Sequence, residues 1–177
     1  MTNVKFNDIN EYDDIRSINE YNQLINQGMS PKDALEHIWN TSRDNTRTPM
    51  QWDASPNGGF TGGAPWIMVN PNVQEINVAA AIRDPDSVLH YYRALLALRR
   101  ERDVLRYGDF SLLLHEHPQV FAYARTFEGQ QIRIYCNFTD RDAPLPEAFC
   151  KEKVLLTNVN YEKTDVLLPY EAAVVMA

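Results

Sequence analysis

"SRDNTRTPMQWDASPNGGFTGGAPW", residues 42–66, is the stretch on which the reading of the whole chain turns. It has neither the 3.6-residue period of an amphipathic helix nor the alternation of a strand. Two arginines, two aspartates, two tryptophans, three prolines and four glycines lie within it. Loops of such length inside a compact domain are either functional or disordered. Disorder fits poorly with the aromatic residues Trp52, Phe60 and Trp66. The stretch is therefore read as an ordered loop built to hold something.

Two readings of its chemistry stand side by side. Arg43 and Arg47 flank Asp44 and Asn45, and the planar fork of a guanidinium suits the paired hydroxyls of a sugar or a carboxylate. The same charges can instead brace the loop through Arg–Asp pairs, which are common structural devices. Trp52, Phe60 and Trp66 offer faces on which a pyranose ring can stack, but anchoring the loop by burial is the role expected of them. Pro49, Pro56 and Pro65, with the pairs Gly58-Gly59 and Gly62-Gly63, set turns and reduce the entropy lost in ordering the path.

The flanks are more regular. From Glu11 to Gln27, Tyr12, Ile15, Ile18, Tyr21, Leu24 and Ile25 recur at helical spacing, and Gly28 ends the run. A second helix is expected from Ser30 as N-cap with Pro31 in its first turn. After the loop, "RDPDSVLHYYRALLALRRERD" (residues 83–103) predicts a longer helix with Asp84 as its cap and an apolar stripe that includes Val88, Tyr92 and Leu95. Beyond Val104 the period becomes strand-like. "DFSLLLHEH", "VFAYARTF", "QIRIYCNF", "KVLLTN" and "TDVLLPYEAAVVM" are short runs separated by turn residues. Ile132, Ile134, Cys136 and Phe138 alternate with Arg133, Tyr135 and Asn137, which predicts a strand with one buried face. The fold class is α+β: helices and a long loop over residues 1–103, then an antiparallel β-sandwich over residues 104–177.

Bulk properties exclude several functions. A formal charge of -7 argues against a nucleic-acid partner, since such proteins concentrate Lys and Arg on one face. "MTNVKFNDIN" is polar, with no apolar run that would act as a signal peptide or span a membrane, so a cytoplasmic location is expected. The two cysteines, Cys136 and Cys150, form no metal motif and no disulfide framework and are expected as free thiols. His115 and His117 would share one face of a strand, but no third ligand stands at recognisable spacing, so no metal is expected. Glu11, Asp13 and Asp14 are read as a solvated helix face. No phosphate loop, nucleophile elbow or zinc-protease helix is present.

"SRDNTRTPMQWD", followed by "GGFTGGAPWIMVNPN" and "EINVAAA", closely resembles the oligo-1,6-glucosidase group of the alpha-amylase family, glycoside hydrolase family 13. Trehalose-6-phosphate hydrolases and other alpha-glucosidases share much of the pattern. The resemblance extends from "MTNVKFNDINEYDDIRSINEY" to "LPYEAAVVM". It implies that residues 1–103 are the end of a (β/α)8 barrel, comprising a loop excursion and the last barrel helix, and that residues 104–177 are the C-terminal β-sandwich. Active sites of such barrels lie on the βα loops, so the dense loop would wall the sugar pocket. By motif position Arg43 is implied to hold the terminal glucose, with Asp44 and Arg47 as bracing residues or further ligands.

The resemblance also implies what is missing. A retaining glycosidase needs a carboxylate nucleophile and a carboxyl acid/base, and in this family both, with a third stabilising aspartate, lie upstream of the motifs present here. No catalytic residue is therefore expected in this chain, which is read as the C-terminal piece of an alpha-glucosidase acting on short alpha-1,6- or alpha-1,4-linked glucose oligomers without a cofactor. The piece alone is expected to be inactive. The rival reading is a non-catalytic module that binds carbohydrate or a partner. The remainder of the barrel, or a second copy, would then cover the apolar stripe at Val88, Tyr92 and Leu95.

Overall fold

The computed structural model describes residues 2–150, 153–160 and 165–177. Thr164, the first residue of the last expected strand run, lies outside the described residues. The chain forms two compact units, Met1–Pro85 and Asp86–Ala177.

In the first unit, α1 (Ile15–Asn26) and α2 (Pro31–Thr41) pack against each other. Gly28, at φ +91°, turns the chain between them, a conformation that carries a steric penalty in residues with a Cβ. Ser30 caps α2, its hydroxyl accepting from the Asp33 N–H, and Pro31 fills the first helical position, as the sequence predicts. α1 starts later than its apolar period suggests, because Asp14 is the N-cap. Tyr12 consequently lies outside the helix and is buried in a core with Val4, Phe6, Ile38 and Ile67. Its ring meets that of Phe6 edge-on at 4.7 Å. The N-terminal stretch, read as merely polar, thus supplies two core side chains, whereas Ile15 is 66% exposed. A short helix, α3 (Val78–Arg83), was not expected. Asn77 caps it by accepting from the Ala80 N–H, and Asp84 is its C-cap.

The second unit begins with α4 (Val88–Glu101), whose N-cap is Ser87 rather than Asp84, and α5 (Asp103–Tyr107). Seven strands follow among the described residues: β1 (Asp109–Leu113), β2 (Val120–Phe127), β3 (Gln130–Asn137), β4 (Ala143–Pro144), β5 (Lys153–Thr157), β6 (Val166–Leu167) and β7 (Ala172–Met176). They form an antiparallel five-stranded sheet in the order β1-β2-β3-β7-β5 and a two-stranded sheet, β4-β6. Among the described residues no sheet closes into a barrel. β2 and β3 are joined through Glu128 and Gly129, at φ 48° and 77°, the left-handed pair that a tight hairpin needs. The last expected run breaks into β6 and β7, since Pro169 has no N–H for a ladder and Tyr170 takes φ 55°.

The large sheet is covered on both faces, which corrects the expectation of one buried face. On one side Val120, Ala122, Tyr135, Ala173 and Val175 share a core with Ala143, Leu145 and Leu167 of the small sheet and its flanks. On the other, Ile132 and Val174 pack with Val104, and Leu95, Leu98 and Leu105 close over them. Tyr135 and Asn137, read as outward-facing, are 0% and 3% exposed, whereas Phe138 is 71% exposed. The five-stranded sheet therefore carries helical cover from α4 and α5.

Candidate functional site

The charged end of the loop is assembled by its junction with α2. Ser42 terminates α2 and caps a 3-10 turn, Arg43–Thr46, its hydroxyl accepting from the Asp44 N–H. Asp44 points inward and is fully buried. Its Oδ2 accepts the backbone N–H groups of Asp13 at 2.9 Å and Asp14 at 2.7 Å. Asn45 is buried beside it, donating to the carbonyls of Ile38 and Trp39 and accepting from the Tyr12 hydroxyl. Burial, reinforced by the nearby Asp44 carboxylate, pushes the Tyr12 phenol up to about 12.

Arg43 points the other way. Its Nε donates to Asp14 Oδ2 and its Nη2 to Asp14 Oδ1, each at 2.8 Å. The arginine side chain is 59% exposed and the carboxylate 3%. The Arg43 guanidinium holds the Asp14 carboxyl at about 2, and the Arg16 N–H donating to Asp14 adds to the effect. Arg47 makes a weaker pair, Nη1 to Asp44 Oδ1 at 3.5 Å. Of the two arginines it is Arg43 that is the more firmly braced. Asp14 is not part of a solvated face, as the sequence reading had it, but a buried partner at the base of the loop.

The rest of the loop is held by polar contacts. Gln51 is fully buried and its Nε2 donates to Asn72 Oδ1 at 2.9 Å and the Ile76 carbonyl at 2.8 Å. Backbone bonds run from Trp52 N–H to the Gly58 carbonyl and from Ala79 N–H to the Trp52 carbonyl. Asn57 Nδ2 donates to the carbonyls of Thr61 and Gly63. The aromatics do not anchor the loop, contrary to expectation: Trp52, Phe60 and Trp66 are 52%, 47% and 56% exposed. Amide side chains that reach backbone carbonyls can fix a path as well as apolar burial does, and they leave the rings outward.

Other candidates resolve differently. His115 and His117 lie in the turn after β1, not on a strand. His117 Nδ1 accepts from the N–H groups of Gln119 and Val120, so its Nε2 is the donor to the Pro144 carbonyl. Both ring nitrogens are thereby committed to local structure. Among the described residues no group of three His, Cys, Asp or Glu side chains comes together to hold a metal, and no helix is long and apolar enough to cross a membrane. Cys136 and Cys150 are free, and burial raises the Cys136 thiol. On α4, Val88 and Tyr92 are exposed as expected, but Leu95 turns into the core and Leu96 takes its place on the outer stripe.

The chain matches the alpha-amylase catalytic domain over residues 1–108. It is 42% identical to the oligo-1,6-glucosidase of Halalkalibacterium halodurans, an alignment that covers 98% of this chain and 33% of that enzyme. It is 39% identical to the trehalose-6-phosphate hydrolase of Bacillus subtilis, with 98% and 33% covered. The crystal structure of the Bacillus licheniformis trehalose-6-phosphate hydrolase superposes with a TM-score of 0.88 at 37% identity, over 98% of this chain and 33% of that one. The chain thus spans about a third of the length of these relatives. With more than half of its residues inside the family match and this similarity along nearly its whole length, the chain belongs to the alpha-amylase family.

Proposed function

We propose that the chain is the C-terminal third of a cytoplasmic retaining alpha-glucosidase that hydrolyses short alpha-1,6- or alpha-1,4-linked glucose oligomers. In this reading it supplies Arg43 to bind the terminal glucose and none of the catalytic carboxylates. Residues 1–103 form the end of the catalytic barrel and residues 104–177 the C-terminal β-sandwich domain. Asp44 and Arg47 brace the loop that carries Arg43. The observation that carries the reading is the similarity to oligo-1,6-glucosidase along 98% of the chain, joined to an arginine whose side chain is more than half exposed. The outward stripe of Val88, Tyr92 and Leu96 on α4 is what the remainder of the barrel would cover.

The test joins this chain to the first two thirds of the Halalkalibacterium halodurans enzyme. The joined protein is expected to hydrolyse isomaltose, whereas the chain alone is expected to be inactive. Turnover by the chain alone after stringent purification, or a folded but inactive joined protein, would sink the proposal. A trehalose-6-phosphate hydrolase is the second reading, favoured by the 39% identity to the Bacillus subtilis enzyme. The native full-length protein preferring trehalose 6-phosphate to isomaltose would establish it.

A further inference from the structure

We infer that Asp14 is the positioning residue for Arg43: it grips one edge of the guanidinium and thereby aims the opposite edge at the sugar. The inference rests on the reading of Arg43 as a glucose-binding residue, which it deepens.

The geometry is that of a two-point clamp. A guanidinium is planar and carries five N–H donors in a fixed fork. Asp14 engages Nε and Nη2 at 2.8 Å each, so one edge is occupied and the plane is fixed. Among the described residues Nη1 makes no hydrogen bond, and the Arg43 side chain is 59% exposed. The free donors therefore project from a side chain that has already lost its rotational freedom, which reduces the entropy cost of binding.

Asp14 is itself held from beneath. Its N–H donates to Asp44 Oδ2 at 2.7 Å, and Asp44 is fully buried. Asp14 Oδ1 also accepts from the Arg16 N–H at 3.2 Å as the N-cap of α1. The cap accounts for that one bond and gives no reason for the bidentate approach of Arg43. The order of support runs from buried Asp44 through the Asp14 backbone to the Asp14 carboxylate and then to Arg43.

Capping and positioning separate in Asp14→Ser, because serine keeps a capping oxygen while losing the carboxylate. In the joined enzyme, Asp14→Ser is expected to lower kcat/KM on isomaltose by about tenfold, the scale of one lost charged hydrogen bond. In an Arg43→Ala background the same change should be nearly silent, less than about twofold, because its route of action is gone. In the 177-residue chain itself, the Arg43 Nε–H resonance should be protected from exchange in the wild type and exposed in Asp14→Ser. Should Asp14→Ser fail to fold, Asp14→Asn serves as the second variant with the same expected coupling. Equal losses with and without Arg43, or no loss in Asp14→Ser, would overturn the inference. Arg43→Ala with unchanged kinetics would instead remove the sugar-binding reading beneath it, a distinct result.

Discussion

Arg43 and Asp14, 29 residues apart in the chain, are joined by two parallel hydrogen bonds between an exposed guanidinium and a buried carboxylate. Each group answers a different need. The arginine satisfies a carboxylate that burial would otherwise penalise, and the carboxylate orders an arginine that would otherwise sample many rotamers.

Removing the arginine should therefore cost stability as well as binding. Arg43→Ala leaves Asp14 with a single acceptor contact, to the Arg16 N–H, and the melting temperature is expected to fall. Arg47→Ala, which breaks only the 3.5 Å contact to Asp44, should stay within about 1 kcal/mol. Calorimetry of both variants checks the order. A larger loss in Arg47→Ala would mean that the main brace lies there.

The pair also sets an acid limit. Arg43 holds the Asp14 carboxyl below its ordinary 3.8, at about 2. A carboxyl depressed on folding contributes stability that is complete above its unfolded value and is lost as pH falls through its folded one. The contribution should therefore fade between about pH 4 and pH 2. Carbon-13 titration of the Asp14 carboxyl should show the low midpoint in the wild type and a higher one in Arg43→Ala. An ordinary midpoint in the wild type would contradict the clamp.

Gln51 should prove to be the residue that orders the aromatic part of the loop. Gln51→Ala removes two hydrogen bonds from a fully buried site and is expected to cost about 2–4 kcal/mol. Tryptophan anisotropy, read through the neighbouring Trp52, should fall as the loop loosens. A variant with wild-type stability and anisotropy would show that Gln51 is dispensable.

Two glycines make a contrasting pair. Gly108 has an ordinary φ of -62°, but an added Cβ would lie 2.4 Å from the Val104 carbonyl oxygen and 3.0 Å from backbone atoms of Thr126. Gly28 sits at φ +91° with nothing within 4 Å of the added atom. Gly108→Ala must move backbone and should cost about 3 kcal/mol or more, whereas Gly28→Ala incurs only conformational strain of about 1–2 kcal/mol. Denaturant midpoints that rank them the other way would show that the α5–β1 junction yields easily.

Within the second unit, β3 is hydrogen-bonded on both sides, to β2 and to β7. Its amides from Ile132 to Cys136 should be among the slowest to exchange with solvent, and those around the exposed Phe138 faster. Uniformly fast exchange along β3 would mean that the sheet does not hold by itself.

Much of this protein is written locally. The Ser30-Pro31 start of α2, the Gly28 stop and the Glu128-Gly129 hairpin depend on neighbours within a few residues, so composition and spacing reveal them, whereas the change to strand comes only at Asp109, because residues 103–107 form α5 and not a strand. The motif containing Arg43, Asp44 and Arg47 is equally legible, since a quoted run of residues carries it. Asp14 as an N-cap was readable in principle from its place before the helical period. Its grip on Arg43 was not, because nothing local connects residues 29 apart. The same limit explains the aromatics. Whether Trp52, Phe60 and Trp66 turn inward depends on which groups secure the loop. Gln51 does so through residues 21 and 25 positions away. Which face of β3 is covered was likewise decided only when α4 and the small sheet closed over opposite sides. Local propensity fixes elements because it acts through short-range sterics and hydrogen bonds. Burial and charge pairing are settled between segments distant in sequence, and only the tertiary structure brings those segments together.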